Sequence, residues 1–179
     1  MRHNMIVALC KGTRGIGYQN KLPWKYPQEL RLFRNLTSSN YCHDRKEIYD
    51  ALYMGKNTYY HLPRDLPKRD LFIISRNPQN ITYRPEVPYN GVFKTIPECI
   101  EHTKYLKYKS LWCIGGASIY NHSLKTVAFD RIYETHIQKQ HHCDTYIDDL
   151  PPLYTKMSDC EYENDLGEIV FKLNVYDLI

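Results

Sequence analysis

Several absences narrow the reading of this sequence. No apolar run approaches the roughly 18 residues that a membrane-spanning helix needs. The apolar part of the opening MRHNMIVALCKG is too short for the core of a secretion signal, and no cleavage-type pattern follows it. The expectation is a soluble protein of the cytoplasm. The six cysteines, Cys10, Cys42, Cys99, Cys113, Cys143 and Cys160, include no C-x-x-C pair. Reduced and mostly buried thiols are expected, because a chain of this length without a secretion signal does not need disulfides. The run His141-His142-Cys143-Asp144 holds four metal-ligand types in a row. Neighbours on an extended chain point to opposite faces, so they do not converge on one ion, and no metal is expected. The chain also lacks a concentrated basic stripe. Lys+Arg number 24 against 20 Asp+Glu, and the cations are scattered. That argues against a nucleic-acid partner and suits small anionic ligands. There is no repeat and no low-complexity tract.

What is present fits one domain, residues 1–179, with a sizeable core. Short β-branched apolar runs alternate with helical patterns. Strands are expected at 5–9, 51–55, 70–75, 111–114 and 131–138. Helices are expected at 27–37, 96–106 and 117–124, the first with Pro27 in its opening turn and an apolar face of Leu30, Phe33 and Leu36. Another helix is expected to begin near Thr58. Residues 160–178 read as a hairpin around an Asp-Leu-Gly turn. The order is βαβ first and hairpin last. It predicts an α/β fold: a mixed, mostly parallel central sheet with an antiparallel C-terminal hairpin and flanking helices. Residues 38–50 are polar and read as a surface loop or an extra helical turn.

In such sheets ligands bind beyond the carboxyl ends of the strands, and four features collect there. The stretch LCKGTRGIGYQNKLPW carries Gly12, Gly15 and Gly17 in the order G-x-x-G-x-G and runs into a Pro-Trp pair, not into a helix. It is therefore no dinucleotide fingerprint. Glu29 follows five residues after Trp24, on an otherwise apolar helical stripe. It is either a helix-start carboxylate favoured by the dipole or a buried acid poised for a cationic or amidine-like group. MGKNTYYHLP (54–63) and CIGGASIYN (113–121) are strand-to-helix turns whose backbone N–H groups can face an anion, the Gly-Gly turn being the better cradle. Arg69 and Arg76 flank the strand at 70–75, and a guanidinium can grip a carboxylate bidentately.

Together these pieces resemble the dihydrofolate reductase family, and the resemblance spans essentially the whole chain. It rests on GIGYQNKLPW, Trp24-x4-Glu29-x3-Phe33, MGKNTYY, Leu66-Pro67-x-Arg69 with Ser75 six residues on, IGGASIY, RIYETHI and CDTYI, in that order. The resemblance implies reduction of 7,8-dihydrofolate to tetrahydrofolate with NADPH: a hydride passes to pterin carbon 6, and nitrogen 5 gains a proton. It makes the glycine-rich stretch a mobile loop that closes over the nicotinamide, its glycines permitting the motion. It makes Glu29 the pterin-binding acid, hydrogen-bonded by Thr135. Trp24, with Leu22 beside it, would back the pterin and help hold a water. Ile6, Val7, Ala8, Leu30, Phe33, Leu62, Leu66 and Ile114 would line the slot, and Arg69 would clamp the glutamate carboxylate. For the cofactor it implies Ala8, Ile16, Gly17, Gly55, Asn57, Thr58, Ile114, Gly115, Gly116, Ala117, Ser118 and Ile119, with a cis peptide between the two glycines. Tyr120 would pack beside the nicotinamide. Lys56, Ser75 and Arg76 would surround the adenosine 2′-phosphate. Antifolates would bind the same slot. A monomer is implied, unless the chain is part of a fusion with thymidylate synthase.

Three positions depart from the family pattern: Tyr59 after Thr58, Ala117 after the glycine pair, and Cys143 before Asp144, where a small residue would help the loop close. Two other readings stay open. One is a riboflavin-pathway reductase on the same fold, which needs neither the acid nor the arginine clamp. The other is an inactive anion-binding scaffold.

Overall fold

The computed structural model describes residues 1–38 and 50–179. Most of the polar stretch 38–50 therefore lies outside the described residues. Ten strands and four helices follow along these residues: β1 (Arg2–Cys10), β2 (Gly15–Gly17), α1 (Pro27–Thr37), β3 (Asp50–Gly55), α2 (Lys56–His61), β4 (Arg69–Ile74), β5 (Gly91–Phe93), α3 (Ile96–Lys104), β6 (Ser110–Cys113), α4 (Ala117–Thr126), β7 (Arg131–Ile137), β8 (Thr145–Tyr146), β9 (Tyr154–Glu163) and β10 (Ile169–Leu178). Eight of them form one sheet in the order β5-β4-β3-β6-β1-β7-β10-β9, and β2 pairs with β8 in a separate ribbon. Neighbours from β5 to β7 are parallel, whereas β10 runs antiparallel to both β7 and β9. This is the predicted mixed sheet.

The centre is β1, between β6 and β7. Residues 4–7 of β1 are all buried, as a central parallel strand covered on both faces requires. Alternation then assigns the two layers. Ile6, Leu52, Met54, Leu71, Ile73, Trp112 and Ile114 face one side, where Phe33 and Leu36 of α1 and Tyr59 of α2 pack. Met5, Val7, Leu9, Tyr53, Phe72, Leu111 and Cys113 face the other, against Ile96 and Cys99 of α3 and Ile119, Tyr120 and Leu124 of α4. Among the described residues no helix is long and apolar enough to cross a membrane.

The expected boundaries shift in places. The helix after β3 begins at Lys56, ahead of Thr58, and Arg69 opens β4 instead of preceding it. The last hairpin starts at Tyr154, well before Cys160, because β9 is an exposed edge with no apolar pattern to announce it. Gly167, at φ +76, makes the hairpin turn, and Asn164 Oδ1 accepts from the N–H groups of Leu166 and Glu168. The apolar face of α1 is also different. Leu30 is 55% exposed, while Glu29 and Thr37 are buried. No side chain caps α1; Pro27 starts it, so its stability comes from packing on the sheet.

Candidate active site

A cleft opens beside the start of α1, lined by Leu22, Trp24, Lys25, Tyr26, Pro27, Glu29 and Leu30. Leu22 and Leu30 are its exposed lips, and Trp24 and Glu29 its buried floor. The Glu29 side chain has no ion-pair or hydrogen-bond partner among the described residues, and burial pushes its carboxyl up to about 7. Thr135, buried on β7 beside Ala8 of β1, was expected to hydrogen-bond Glu29, but that bond is not formed here. Trp24 Nε1 is buried with no hydrogen-bond partner among the described residues, and the indole packs edge-on against His141 at 5.7 Å. The slot continues over the α1 face of the sheet, where Phe33, Leu62 and Leu66 meet Ile6 and Ile114. Val7 is the exception among the expected slot residues. It points to the α3–α4 side, because consecutive strand residues alternate.

Arg69 lies at the far end of this layer. It is buried, with its guanidinium 5.8 Å from the centre of the Phe33 ring. Nη1 donates to Thr37 Oγ1 at 2.9 Å and Nε to the Pro67 carbonyl at 3.3 Å. No carboxylate lies within salt-bridge reach among the described residues. Burial, and then Arg34, lowers its pKa.

At the carboxyl ends of β3, β4 and β6 a second set of groups converges. The Gly115–Gly116 bond is cis, and Gly115 has φ +91. A Cβ on Gly115 would stand 2.3 Å from Tyr120 Cε2, so no side chain fits there. Gly116 faces Thr58 Oγ1, Gly55 backs onto Ile119, and Gly55 N–H donates to the Gly115 carbonyl at 2.7 Å. The two strand-to-helix turns thus meet across a narrow gap, with Asn57 and Ser118 exposed at its rim and Ala117 half-buried. Gly55 pairs in register with Ile74, which sets Lys56 beside Ser75 and Arg76. The two cations are exposed and Ser75 is buried, its hydroxyl accepting from Asn77 N–H at 3.3 Å. Tyr120 donates its hydroxyl to the Ile6 carbonyl at 2.7 Å. Burial raises its pKa well above the usual range, helped by Cys113 and Glu29. This phenol ties α4, just past the glycine turn, to the central strand β1.

The family model for dihydrofolate reductase matches residues 3–177. The chain belongs to the dihydrofolate reductase family. It is 27% identical to the dihydrofolate reductase of Aedes albopictus, over 99% of this chain and 98% of that one. It is 33% identical to the bifunctional dihydrofolate reductase-thymidylate synthase of Zea mays, over 84% of this chain and 29% of that one. A dihydrofolate reductase from Enterococcus faecalis, solved with NADP(H) and RAB-propyl, superposes with a TM-score of 0.78 at 19% identity, covering 99% of this chain and 96% of that one. Family membership makes the chain an NADPH-dependent oxidoreductase.

The loop after β1 is hydrogen-bonded into two short elements. Ile16 and Gly17 sit in β2, paired with β8. Gln19 and Asn20, both at positive φ, turn a small hairpin closed by Tyr18 and Lys21. Sequence reasoning missed it because Gln-Asn is not the usual pair for such a turn. Asp144 clasps the hairpin: its N–H donates to the Gly17 carbonyl, and its Oδ2 accepts from Gln19 N–H, both at 2.9 Å. Gly12 needs its φ of +84, and a Cβ on Gly15 would fall 2.5 Å from Cys143 Sγ. These two glycines answer local geometry, not motion alone. Cys143 is buried, its sulfur 3.8 Å from that of Cys10. Tyr59, the other departure, is buried and donates to the Val87 carbonyl at 3.1 Å. A buried ion pair that sequence reasoning missed joins this loop to β7: Arg14 Nη2 donates to Glu134 Oε1 at 2.7 Å. The visible signal was an acid inside the apolar alternation of RIYETHI.

Proposed function

We propose that this chain reduces 7,8-dihydrofolate to tetrahydrofolate with NADPH, with Glu29 as the acid that binds the pterin. The observation that carries this is a buried carboxylate with no partner among the described residues, on the floor of an apolar cleft and within electrostatic reach of Tyr120, whose ring packs on Gly115. A carboxylate in that state favours a ligand bearing an amidine-like N–H pair, which the 2-amino-pterin edge supplies. Its charge favours protonation of the bound pterin, and its raised pKa keeps it responsive near neutrality. Ile6, Phe33, Leu62, Leu66 and Ile114 hold the rings by apolar contact and exclude water. Arg69 meets the glutamate carboxylate; its guanidinium forms no salt bridge with a carboxylate among the described residues.

The residues of the second gap fit NADPH. Gly115 and Gly116 leave no side chain in the way of a pyrophosphate, with Thr58 opposite, and Lys56, Ser75 and Arg76 suit a 2′-phosphate. NADPH supplies the hydride when bound. We read the chain as one domain, acting as a monomer in the cytoplasm and taking antifolates in the same slot.

The test is loss of NADPH absorbance on adding dihydrofolate, with NADH in parallel. Turnover dependent on dihydrofolate and strongly favouring NADPH is expected. No turnover with dihydrofolate would end this reading.

A further inference from the structure

Arg14 lies between Gly12 and Gly15 with a left-handed backbone, φ +58. Its main chain is held at both ends: its N–H donates to the Cys10 carbonyl at 3.0 Å, and its carbonyl accepts from Ile147 N–H at 3.1 Å. Its guanidinium turns inward. Nη2 donates to Glu134 Oε1 at 2.7 Å and to the Asp148 carbonyl at 2.9 Å. Nε reaches the Asp148 and Ile147 carbonyls at 3.2 and 3.4 Å. Glu134 is 1% exposed, and its second oxygen, Oε2, accepts from His136 Nε2 at 2.9 Å. The Asp149 carboxylate lies 3.4 Å from Nε but is 93% exposed, so it adds little.

One guanidinium thus joins three segments: the loop after β1, strand β7, and the chain just past β8. The last two also meet in the core, where Ile147 packs with Ile132, and Asp148 is tied to α4 by Asn121 and Lys125, but the guanidinium is the group that adds the loop after β1 to them by directed hydrogen bonds. Both strands of that ribbon are therefore moored to the main sheet at this point. A buried ion pair is a poor way to gain stability, since apolar residues of the same volume serve as well or better. A guanidinium fork does fix direction, which apolar contacts do not. The ribbon leads straight into Leu22 and Trp24, which line the cleft with Glu29.

We infer that Arg14 and Glu134 are positioning residues for the reduction: the pair sets where the loop carries Leu22 and Trp24 against Glu29. The inference rests on the function proposed above. Its test uses the full chain and two readouts, amide hydrogen exchange without ligand and steady-state kinetics. Arg14→Met is expected to raise exchange at Gly17, Tyr18 and Ile147 about tenfold or more, while β3 and β4 amides keep their protection. It should lower kcat about 10- to 100-fold, change the KM values for dihydrofolate and NADPH less than about twofold, and raise the deuterium isotope effect from labelled NADPH as the hydride step becomes limiting.

Arg14→Met leaves Glu134 buried with one partner and can unfold. The double variant Arg14→Met/Glu134→Leu removes that charge and should regain the parent's Tm while keeping the fast local exchange and low kcat. Asp149→Asn should behave as the parent. A double variant with parental exchange and parental kcat would show that the pair serves folding alone, and would overturn the inference. A parent that never oxidises NADPH with dihydrofolate would overturn the proposed function instead, and the exchange measurements would still decide whether Arg14 moors the loop.

Discussion

Glu29 and Glu134 are both buried carboxylates, 7% and 1% exposed, on opposite sides of one sheet. Their surroundings drive them in opposite directions. Burial, with nothing to offset it, pushes Glu29 up to about 7. Burial also pushes Glu134 up, but the hydrogen bonds from His136 and Arg14 outweigh it and hold that carboxyl below the usual range. The more buried of the two is thus the more acidic. A buried acid whose partners all come from the protein is held in place by them and serves the fold. A buried acid left without one is open to a ligand. The same contrast separates two arginines: among the described residues Arg14 bonds a carboxylate, whereas the hydrogen bonds of Arg69 go to a hydroxyl and a carbonyl.

Replacing each acid by its neutral isostere sharpens the comparison. The largest effect is expected on turnover from Glu29→Gln, a fall of roughly 10²–10⁴ at pH 7, the range for a lost acid–base group. The deficit should shrink at low pH, where solvent protonates free dihydrofolate before it binds. Parental turnover at pH 7 with an unchanged pH profile would remove the distinction between the two acids.

Stability should sort them the other way. Glu29 has its folded pKa above the unfolded value of 4.5, so the stability tied to its proton is present below pH 4.5 and lost as pH rises through about 7. Glu29→Gln should therefore be as stable as the parent at pH 4.5 and more stable at pH 8, by about 3 kcal/mol at most. Glu134 has its folded pKa lowered, so its contribution is present above pH 4.5 and lost as pH falls through its folded pKa. Glu134→Gln should cost up to about 3 kcal/mol near pH 7 and progressively less in acid. Denaturant unfolding at pH 4, 6 and 8 measures both, and curves of the same sign for the two variants would break the contrast.

The smallest effect belongs to Arg69→Leu. It should raise the KM for dihydrofolate by the equivalent of about 1.5–3 kcal/mol and leave kcat near the parent's value. An antifolate without a glutamate tail should bind as before. Equal losses for both ligands would mean that Arg69 holds the slot and does not read a carboxylate.

Much of the site lies in short stretches where neighbouring residues carry the meaning. Trp24 and Glu29, the Gly115–Gly116 turn with Thr58 across from it, and Lys56 beside Ser75 and Arg76 all come from segments whose strand-to-helix order is visible in the chain. The parallel sheet then brings their ends together. Other features were not legible for specific reasons. Val7 lies in the same apolar run as Ile6, and only strand alternation against a known layer tells which of them faces the slot. Leu30 fits an apolar stripe but forms the open lip of the cleft. The β2–β8 ribbon is too short to show any period. Gly15 looks like a flexible joint, although the sulfur of Cys143, far along the chain, is what forbids a side chain there.

By itself the sequence determined the central strands and the four helices, their order, and the glycine-bearing strand-to-helix turns, because apolar period, proline and glycine act over a few residues. Which buried charge is paired was decided only by the tertiary structure. Arg14 and Glu134 are 120 positions apart, and nothing near either one announces the other. A carboxylate's pKa follows from the partners within a few ångströms, and those are chosen by the sheet's topology, not by adjacent residues.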